Sequence, residues 1–244
     1  MSPAVNLNMP TLESEAEPQL RQPYFQMSEW FGPTIQGEGP SAGRIASFLR
    51  LANCNLTCSW CDSKYTWDWE NYDRSKEIKK VFLDEMLEIV DSLEGNLVVT
   101  GGEPLAQHRA LAALMRARPD RVWEVETNGT KKLGDTAGLW DLVVSSPKVI
   151  PSADQGPMAH RIDESILEVA QFKFVVHDAA DLAAVQQFVT KHDLPSERVW
   201  LMPEGVTPEA LSEKTPFVIQ AAVDNGFNFS SRLHVYGWYD VRGH

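Results

Sequence analysis

Cysteine is scarce in this chain of 244 residues: there are three, and all of them fall within the eight positions Cys54-Asn-Leu-Thr-Cys58-Ser-Trp-Cys61. So compact and odd-numbered a set argues against a secreted disulfide framework. Runs of lysine or arginine are also missing. Lys and Arg number 22 against 34 Asp and Glu, a formal net charge of -12, so a surface tracking nucleic-acid phosphates is not expected. An acidic balance of this kind favours solubility and says little about fold. No apolar stretch approaches the roughly 20 residues that cross a bilayer. The first residues also lack the basic-then-apolar order of a secretory signal. The cytoplasm is therefore the expected compartment, and no membrane contact is expected. Neither an internal repeat nor a second domain is evident, and the length suits one large α/β unit.

What is present centres on the cysteines, spaced Cys-x3-Cys-x2-Cys. Three soft thiolates this close can converge on one metal centre. A [4Fe–4S] cluster usually takes four cysteines. With no fourth in the chain, one iron would lack a cysteine ligand, much as a catalytic zinc site keeps a position open for its reacting group. A structural zinc site completed by a histidine, or unpaired thiols, are the alternatives. Zinc patterns place a second ligand pair about a dozen residues or more downstream. None follows Cys61; the nearest downstream histidine is His108, and the six histidines are scattered. The triad resembles the signature of radical S-adenosylmethionine (SAM) enzymes.

Along the chain, residues 1–22 are rich in Pro, Glu and other polar types without sustained periodicity, and read as a flexible extension. The alternative is a docked arm using Val5, Leu7, Met9 and Leu12. The folded body, 23–244, enters a turn-rich loop, FGPTIQGEGP (31–40), whose Gln36 and Glu38 offer donors and acceptors to a polar ligand. A plain surface loop would look the same. IASFLRL (45–51) reads as the first strand, apolar except for Arg50. A charge at the end of a buried strand needs a partner, either a ligand carboxylate or a structural salt bridge. Trp60, Tyr65, Trp67 and Trp69 crowd the cysteine loop. They could exclude water and tune a cluster, or simply pack.

Helical spacing over 82–93, with Gly95 as C-cap, leads to a short strand, NLVVT (96–100), ending in GGEP (101–104). Glycines there let backbone approach a ligand closely. Glu103 could accept from an ammonium group. Taken alone, GGEP could also be a turn into a helix. The alternation continues with a helix over 105–118, strands ending in ETNG (126–129) and SSPK (145–148), a short helix over 164–170, and a strand ending in His177-Asp178. It goes on with a helix over 181–192, a strand ending in MPEG (202–205), a helix over 207–225 interrupted near Pro216, and a last strand over 233–238. Strand–helix alternation implies a parallel sheet, with ligands beyond the carboxyl ends of its strands. Six such units predict an incomplete (β/α)6-type partial TIM barrel in a single domain, which together with the cysteine triad resembles the radical SAM fold. The N-terminal loop and the last strand would cover its gap.

The run PTIQGEGPSAGRIASFLRLANCNLTCSWCDSKYTWD (33–68), followed in order by GGEP, ETNG, SPK, MPEG and RLHVYGW (232–238), resembles the 7-carboxy-7-deazaguanine synthase family. The resemblance covers the chain from about Tyr24 onward. It implies a carbon–nitrogen lyase that converts 6-carboxy-5,6,7,8-tetrahydropterin to 7-carboxy-7-deazaguanine with loss of ammonia, on routes to queuosine and other 7-deazapurines. One electron would cleave SAM, a 5′-deoxyadenosyl radical would take hydrogen from C6, and the ring would contract. Carried over by position, Cys54, Cys58 and Cys61 hold the [4Fe–4S] cluster. Gly102, Glu103, Glu126, Ser146, Pro147, Lys148, Met202, Pro203, Glu204 and Gly205 contact SAM. Ile35, Gln36, Gly37, Glu38, Arg50 and Thr100 face the pterin, with Arg50 and Glu38 as candidate catalytic residues. Ser63 matches the family's Mg2+ ligand; a plain turn hydroxyl is the alternative. The resemblance also implies a homodimer and an electron donor such as flavodoxin or ferredoxin.

Two departures stand out. The extension at 1–22 has no counterpart in the family. The last residues, DVRGH (240–244), differ from the terminal proline whose carboxylate some members set beside the substrate, which leaves His234 and the tail without a carried-over role. A glycyl-radical-enzyme activase would share the triad and GGEP but need not have QGEG or Arg50. A one-electron iron–sulfur carrier would need no SAM-binding element, and a zinc-dependent binding module no iron.

Overall fold

The computed structural model describes residues 22–149, 161–239 and 241–243. All but the last residue of the expected extension lies outside them, as do the candidate arm residues Val5, Leu7, Met9 and Leu12. The strands among the described residues are β1 (Tyr24–Ile35), β2 (Ile45–Leu51), β3 (Lys79–Phe82), β4 (Asn96–Gly101), β5 (Trp123–Thr127), β6 (Leu142–Ser145), β7 (Gln171–Val176), β8 (Val199–Pro203) and β9 (Asn228–Phe229). They form one sheet in the order β3-β1-β2-β4-β5-β6-β7-β8-β9. From β2 to β9 every neighbouring pair is parallel, and β1 runs antiparallel to both β2 and β3. The helices are α1 (Arg74–Glu77), α2 (Leu83–Ser92), α3 (His108–Ala117), α4 (Glu164–Leu167), α5 (Ala179–Lys191), α6 (Pro208–Asn225) and α7 (Leu233–Trp238). The strands expected around 45–51, 96–100, 122–126, 142–145, 172–176 and 198–202 are β2 and β4 to β8, in parallel order. This is the α/β, incomplete-barrel arrangement that the sequence predicts.

Because side chains alternate across a strand, each strand serves two purposes. One face packs on helices. Leu49, Leu97 and Val99 join Met86, Leu111 and Leu114 in one core; Phe172, Phe174 and Leu201 join Val185, Phe188 and Val218 in another. Each fully buried Leu or Phe contributes about 1.5–3 kcal/mol. The intervening positions Phe48, Arg50, Thr100, Glu126, Val144, Lys173 and Val175 line a cavity on the opposite face. Apolar packing on the first face offsets the burial of charge on the second.

Four local expectations need correcting. The stretch from Phe31 to Ile35 is the end of β1 and not loop; Gly32 and Pro33 are accommodated where the β1–β2 register shifts, between Phe31 and Thr34. A Cβ at Gly32 would come within 2.2 Å of Ser47 Oγ, so the glycine answers a close approach of strands and does not break one. Residues 233–238 form helix α7 and not a closing strand. Their apolar–polar alternation suggests a strand, yet Val235 is fully buried while Leu233 and Trp238 are more than a third exposed, and Tyr239 N–H closes on Val235 O at 2.9 Å. Helix α6 runs through Pro216 without a break. Buried Leu211 before the proline and Val218, Ala221 and Ala222 after it hold both halves in place, against the roughly 3 kcal/mol an interior proline costs. Helix α2 ends at Ser92 with Leu93 as its cap. Gly95, at φ +74°, instead turns the chain against the Ile45 carbonyl.

Candidate active site

The carboxyl ends of the parallel strands open on one cavity of about 290 Å³. The end of β1 brings Ile35 to it, the β1–β2 loop Gln36, Gly37 and Glu38, β2 Arg50, and the loop after β2 Cys54, Cys58, Cys61 and Ser63. Thr100 and Gly102 enter from the end of β4, Glu126 from β5, Ser146 and Lys148 from beyond β6, and Met202, Pro203 and Glu204 from β8. Glu103, Pro147 and Gly205 are not among its lining residues.

The cysteine loop is held by backbone. Gly102 N–H donates to Leu51 O at 3.0 Å and Glu103 N–H to Asn53 O at 2.9 Å. Side chains at 101 and 102 would prevent this, since a Cβ at Gly101 would lie 2.0 Å from Leu51 O and one at Gly102 2.1 Å from Asn53 O. Cys54, Cys58 and Cys61 pack with Leu56 and Trp60 into a small apolar group of their own. N–H groups point at their sulfurs: Leu56 N–H to Cys54 Sγ at 3.4 Å, Trp67 Nε1–H to Cys61 Sγ at 3.4 Å, and Asn128 Nδ2–H to Cys54 Sγ at 3.8 Å. Burial pushes the Cys54 thiol up to about 12, and a bound cation would favour its thiolate. Among the described residues no group of three or more His, Cys, Asp or Glu side chains is gathered as a site for a metal ion. A cluster asks for something else: three thiolates from one loop, with donors to the sulfurs and apolar neighbours. The loop fits that description.

Opposite the cysteines lies a buried charge network. Lys173 Nζ, from β7, is 2.5 Å from Glu38 Oε2 and 3.1 Å from Glu126 Oε1. Arg232 Nε holds the other oxygen of Glu38 at 2.8 Å. Glu126 further accepts from Thr100 Oγ1 at 3.2 Å and Gln36 Nε2 at 3.4 Å. Burial by itself would raise the Glu38 pKa, but the charges of Lys173 and Arg232 outweigh it and hold the carboxyl well below the usual range. His234 is shifted down by burial and lies against Gly37, where a Cβ would come within 2.0 Å of its Nδ1.

Comparison with known proteins draws these parts together. A model described as a 4Fe-4S single cluster domain matches residues 35–131, which span the QGEG loop, the cysteines and GGEP. The 7-carboxy-7-deazaguanine synthase of Pyrobaculum aerophilum is 36% identical over 218 residues, covering 86% of this chain and 93% of that protein. The chain belongs to the 7-carboxy-7-deazaguanine synthase family. The member from Hyperthermus butylicus is also 36% identical, over 83% of this chain and 88% of its own length. In fold, the crystal structure of QueE from Escherichia coli superposes with a TM-score of 0.67 at 24% identity, covering 86% of this chain and 95% of that one.

Within this family member, the candidate residues have the following protein partners. Arg50 already has a protein partner, Glu29, through Nε at 2.8 Å, which is the salt-bridge alternative; the guanidinium nevertheless lines the cavity. Glu103 is fully buried. Its carboxylate accepts from Leu105 N–H, the Thr127 hydroxyl and Asn128 N–H at 2.8–2.9 Å, so it braces the ETNG turn, and burial raises its pKa. Glu126 shares bonds with Gln36 and Thr100. Lys148 Nζ reaches Ser146 Oγ at 2.9 Å and stands 4.8 Å from the Trp60 ring centroid. Ser63 Oγ lies 3.6 Å from Cys61 Sγ. Glu204 pairs with His177 Nε2 at 3.2 Å and with Lys214. Sequence reading did not single out Lys173 or Glu29, and it named Asn128 and Arg232 only as parts of ETNG and RLHVYGW. For Lys173 the signal was present, a lone charge inside the apolar run FKFVV.

Proposed function

We propose that this chain is a radical SAM 7-carboxy-7-deazaguanine synthase, acting on 6-carboxy-5,6,7,8-tetrahydropterin with ring contraction and loss of ammonia. The observation that carries the reading is that Cys54, Cys58 and Cys61 share one cavity with Arg50, Glu38 and Glu126. Cys54, Cys58 and Cys61 would hold the [4Fe–4S] cluster, and Gly102, Ser146, Lys148, Met202, Pro203 and Glu204 would line SAM, with Glu103, Pro147 and Gly205 supporting from behind. When bound, the cluster and SAM supply one-electron reductive chemistry. The protein's own part is recognition. Carboxylates at Glu38 and Glu126 are acceptors suited to the amino and ring N–H donors of a pterin, with Gln36 and Thr100 beside them. Arg50, tied to Glu29 through Nε alone, keeps its two terminal nitrogens for the substrate carboxylate.

Ser63 is a reasonable single protein oxygen for Mg2+, which keeps most of its waters and would take the rest from substrate. A homodimer, a cytoplasmic setting and a small electron donor such as flavodoxin or ferredoxin complete the proposal, on family grounds. A glycyl-radical-enzyme activase would have no use for QGEG and Arg50 on the wall of the same cavity.

The test is anaerobic turnover by reconstituted protein with dithionite, SAM and the pterin, with and without Mg2+, read by mass spectrometry. Product at the mass of 7-carboxy-7-deazaguanine is expected, and none from Cys58→Ala. A cluster-loaded protein that cleaves SAM yet leaves the pterin intact would overturn the substrate assignment.

A further inference from the structure

Arg232 precedes α7 and is only 8% exposed, and each of its three guanidinium nitrogens is committed to a different loop. Nε donates to Glu38 Oε1 at 2.8 Å, Nη2 to Asp62 Oδ2 at 2.6 Å, and Nη1 to the Gly205 carbonyl at 2.8 Å. Glu38 belongs to the loop proposed to face the pterin. Asp62 lies between Cys61 and Ser63 in the cysteine loop. Gly205 ends the MPEG segment proposed to support SAM. The backbone reinforces the link, because the next residue, Leu233, donates its N–H to Gly37 O at 2.9 Å. The arginine is thus fixed by main chain and side chain to the same pterin-facing loop.

The planar guanidinium presents its donors in fixed, divergent directions, which an ammonium group does not reproduce. A buried charge also strongly disfavours losing any partner. Displacement of one loop therefore drags on the other two. We propose that Arg232 is a positioning residue that couples the pterin subsite, the MPEG segment and the cysteine loop, so that binding of one ligand favours binding of the other. The inference rests on the function proposed above and adds the means by which its subsites communicate.

The experiment measures SAM affinity of cluster-loaded protein by calorimetry, with and without 6-carboxytetrahydropterin and without reductant, so that nothing turns over. In the wild type the pterin is expected to tighten SAM binding by about five-fold or more, the lower end of typical coupling. Arg232→Lys and Arg232→Gln should bring that ratio close to one. Asp62→Ala, which removes a single arm at a side chain 43% exposed and so spares the fold, should give an intermediate ratio. It decides the matter if the arginine variants fail to fold by circular dichroism. A ratio kept at the wild-type value in Asp62→Ala and in any folded Arg232 variant would overturn the inference, as would a wild type whose SAM affinity ignores bound pterin. A wild type that binds no pterin would instead fail the functional reading itself, and this inference with it.

Discussion

Lys173 carries a charge that two carboxylates share, and its replacement has a calculable consequence. With the side chain 5% exposed and bonded to both Glu38 and Glu126, Lys173→Met leaves two acids in the cavity wall without their common cation. Breaking a buried pair in this way costs about 3–5 kcal/mol, measurable by urea denaturation, whereas Lys173→Arg should cost much less. The pH dependence follows from Glu38. Its folded pKa is depressed, so its contribution is complete above the unfolded value of about 4.3 and is lost progressively as pH falls from there through the lower folded value. Removing Lys173 raises that folded value, so the variant should lose less of this stability on acidification, and its loss should level off at a higher pH than in the wild type. Identical acid profiles would contradict the assignment. Residue by residue, the site was legible where chemistry is rare, as at the three cysteines, or where a charge ends an apolar strand, as at Arg50. Lys173 has the same signature as Arg50 but sits mid-strand, where no adjacent motif marks it. Glu103 fits its expected motif, and its buried carboxylate accepts from Leu105 N–H, the Thr127 hydroxyl and Asn128 N–H, a pairing across 24 and 25 residues that no local pattern announces.

At the scale of elements, the two turns that meet behind the cysteines make the most exacting demand. Gly102→Ala would set a Cβ 2.1 Å from Asn53 O and 2.8 Å from Cys54 N, and backbone atoms cannot rotate aside as a side-chain tip can. The β4 turn and the cysteine loop must then separate, losing the Glu103 N–H bond to Asn53 O. Iron per chain after reconstitution should fall at least several-fold while far-ultraviolet circular dichroism is retained; full iron loading would show that the contact is dispensable. Parallel strands β4 to β8 were readable because each is a short apolar run closed by turn residues. The antiparallel additions were not. β1 contains Gly32 and Pro33, which read as breakers unless the register shift that absorbs them is known, and β3 has one buried residue, Val81. Helix α7 spans six residues, too few for periodicity to separate 3.6 from 2.

For the whole molecule, one rule predicted the convergence of the site: in a parallel sheet, loops after successive strands gather at one rim. That rule names the loops but not their pairings. Glu38 finds Lys173 at a separation of 135 residues and Arg232 at 194, distances over which no local pattern operates. The same holds for the chain's last described residues, which return across the fold to close the cavity. Arg242 Nε bonds Glu29 Oε2 at 2.6 Å, Nη1 bonds Glu77 Oε2 at 2.9 Å, and the guanidinium stacks 3.9 Å from the Tyr65 ring centroid. Glu29 is also the partner of Arg50 and of the Tyr65 hydroxyl, each at 2.8 Å. Arg242 therefore draws on the same carboxylate that orients the guanidinium proposed to hold the substrate. In Arg242→Ala, Glu29 would be left to Arg50 and Tyr65, and the Arg50 fork would be free to turn from the cavity toward the vacated oxygen. The expected result is a several-fold rise in KM for the pterin with kcat nearly unchanged. Stability should hardly move, since Arg242 is 43% exposed and such surface pairs are worth roughly 0–1 kcal/mol. An unchanged KM would limit Arg242 to covering the cavity, and a large loss of stability would make it a structural strut.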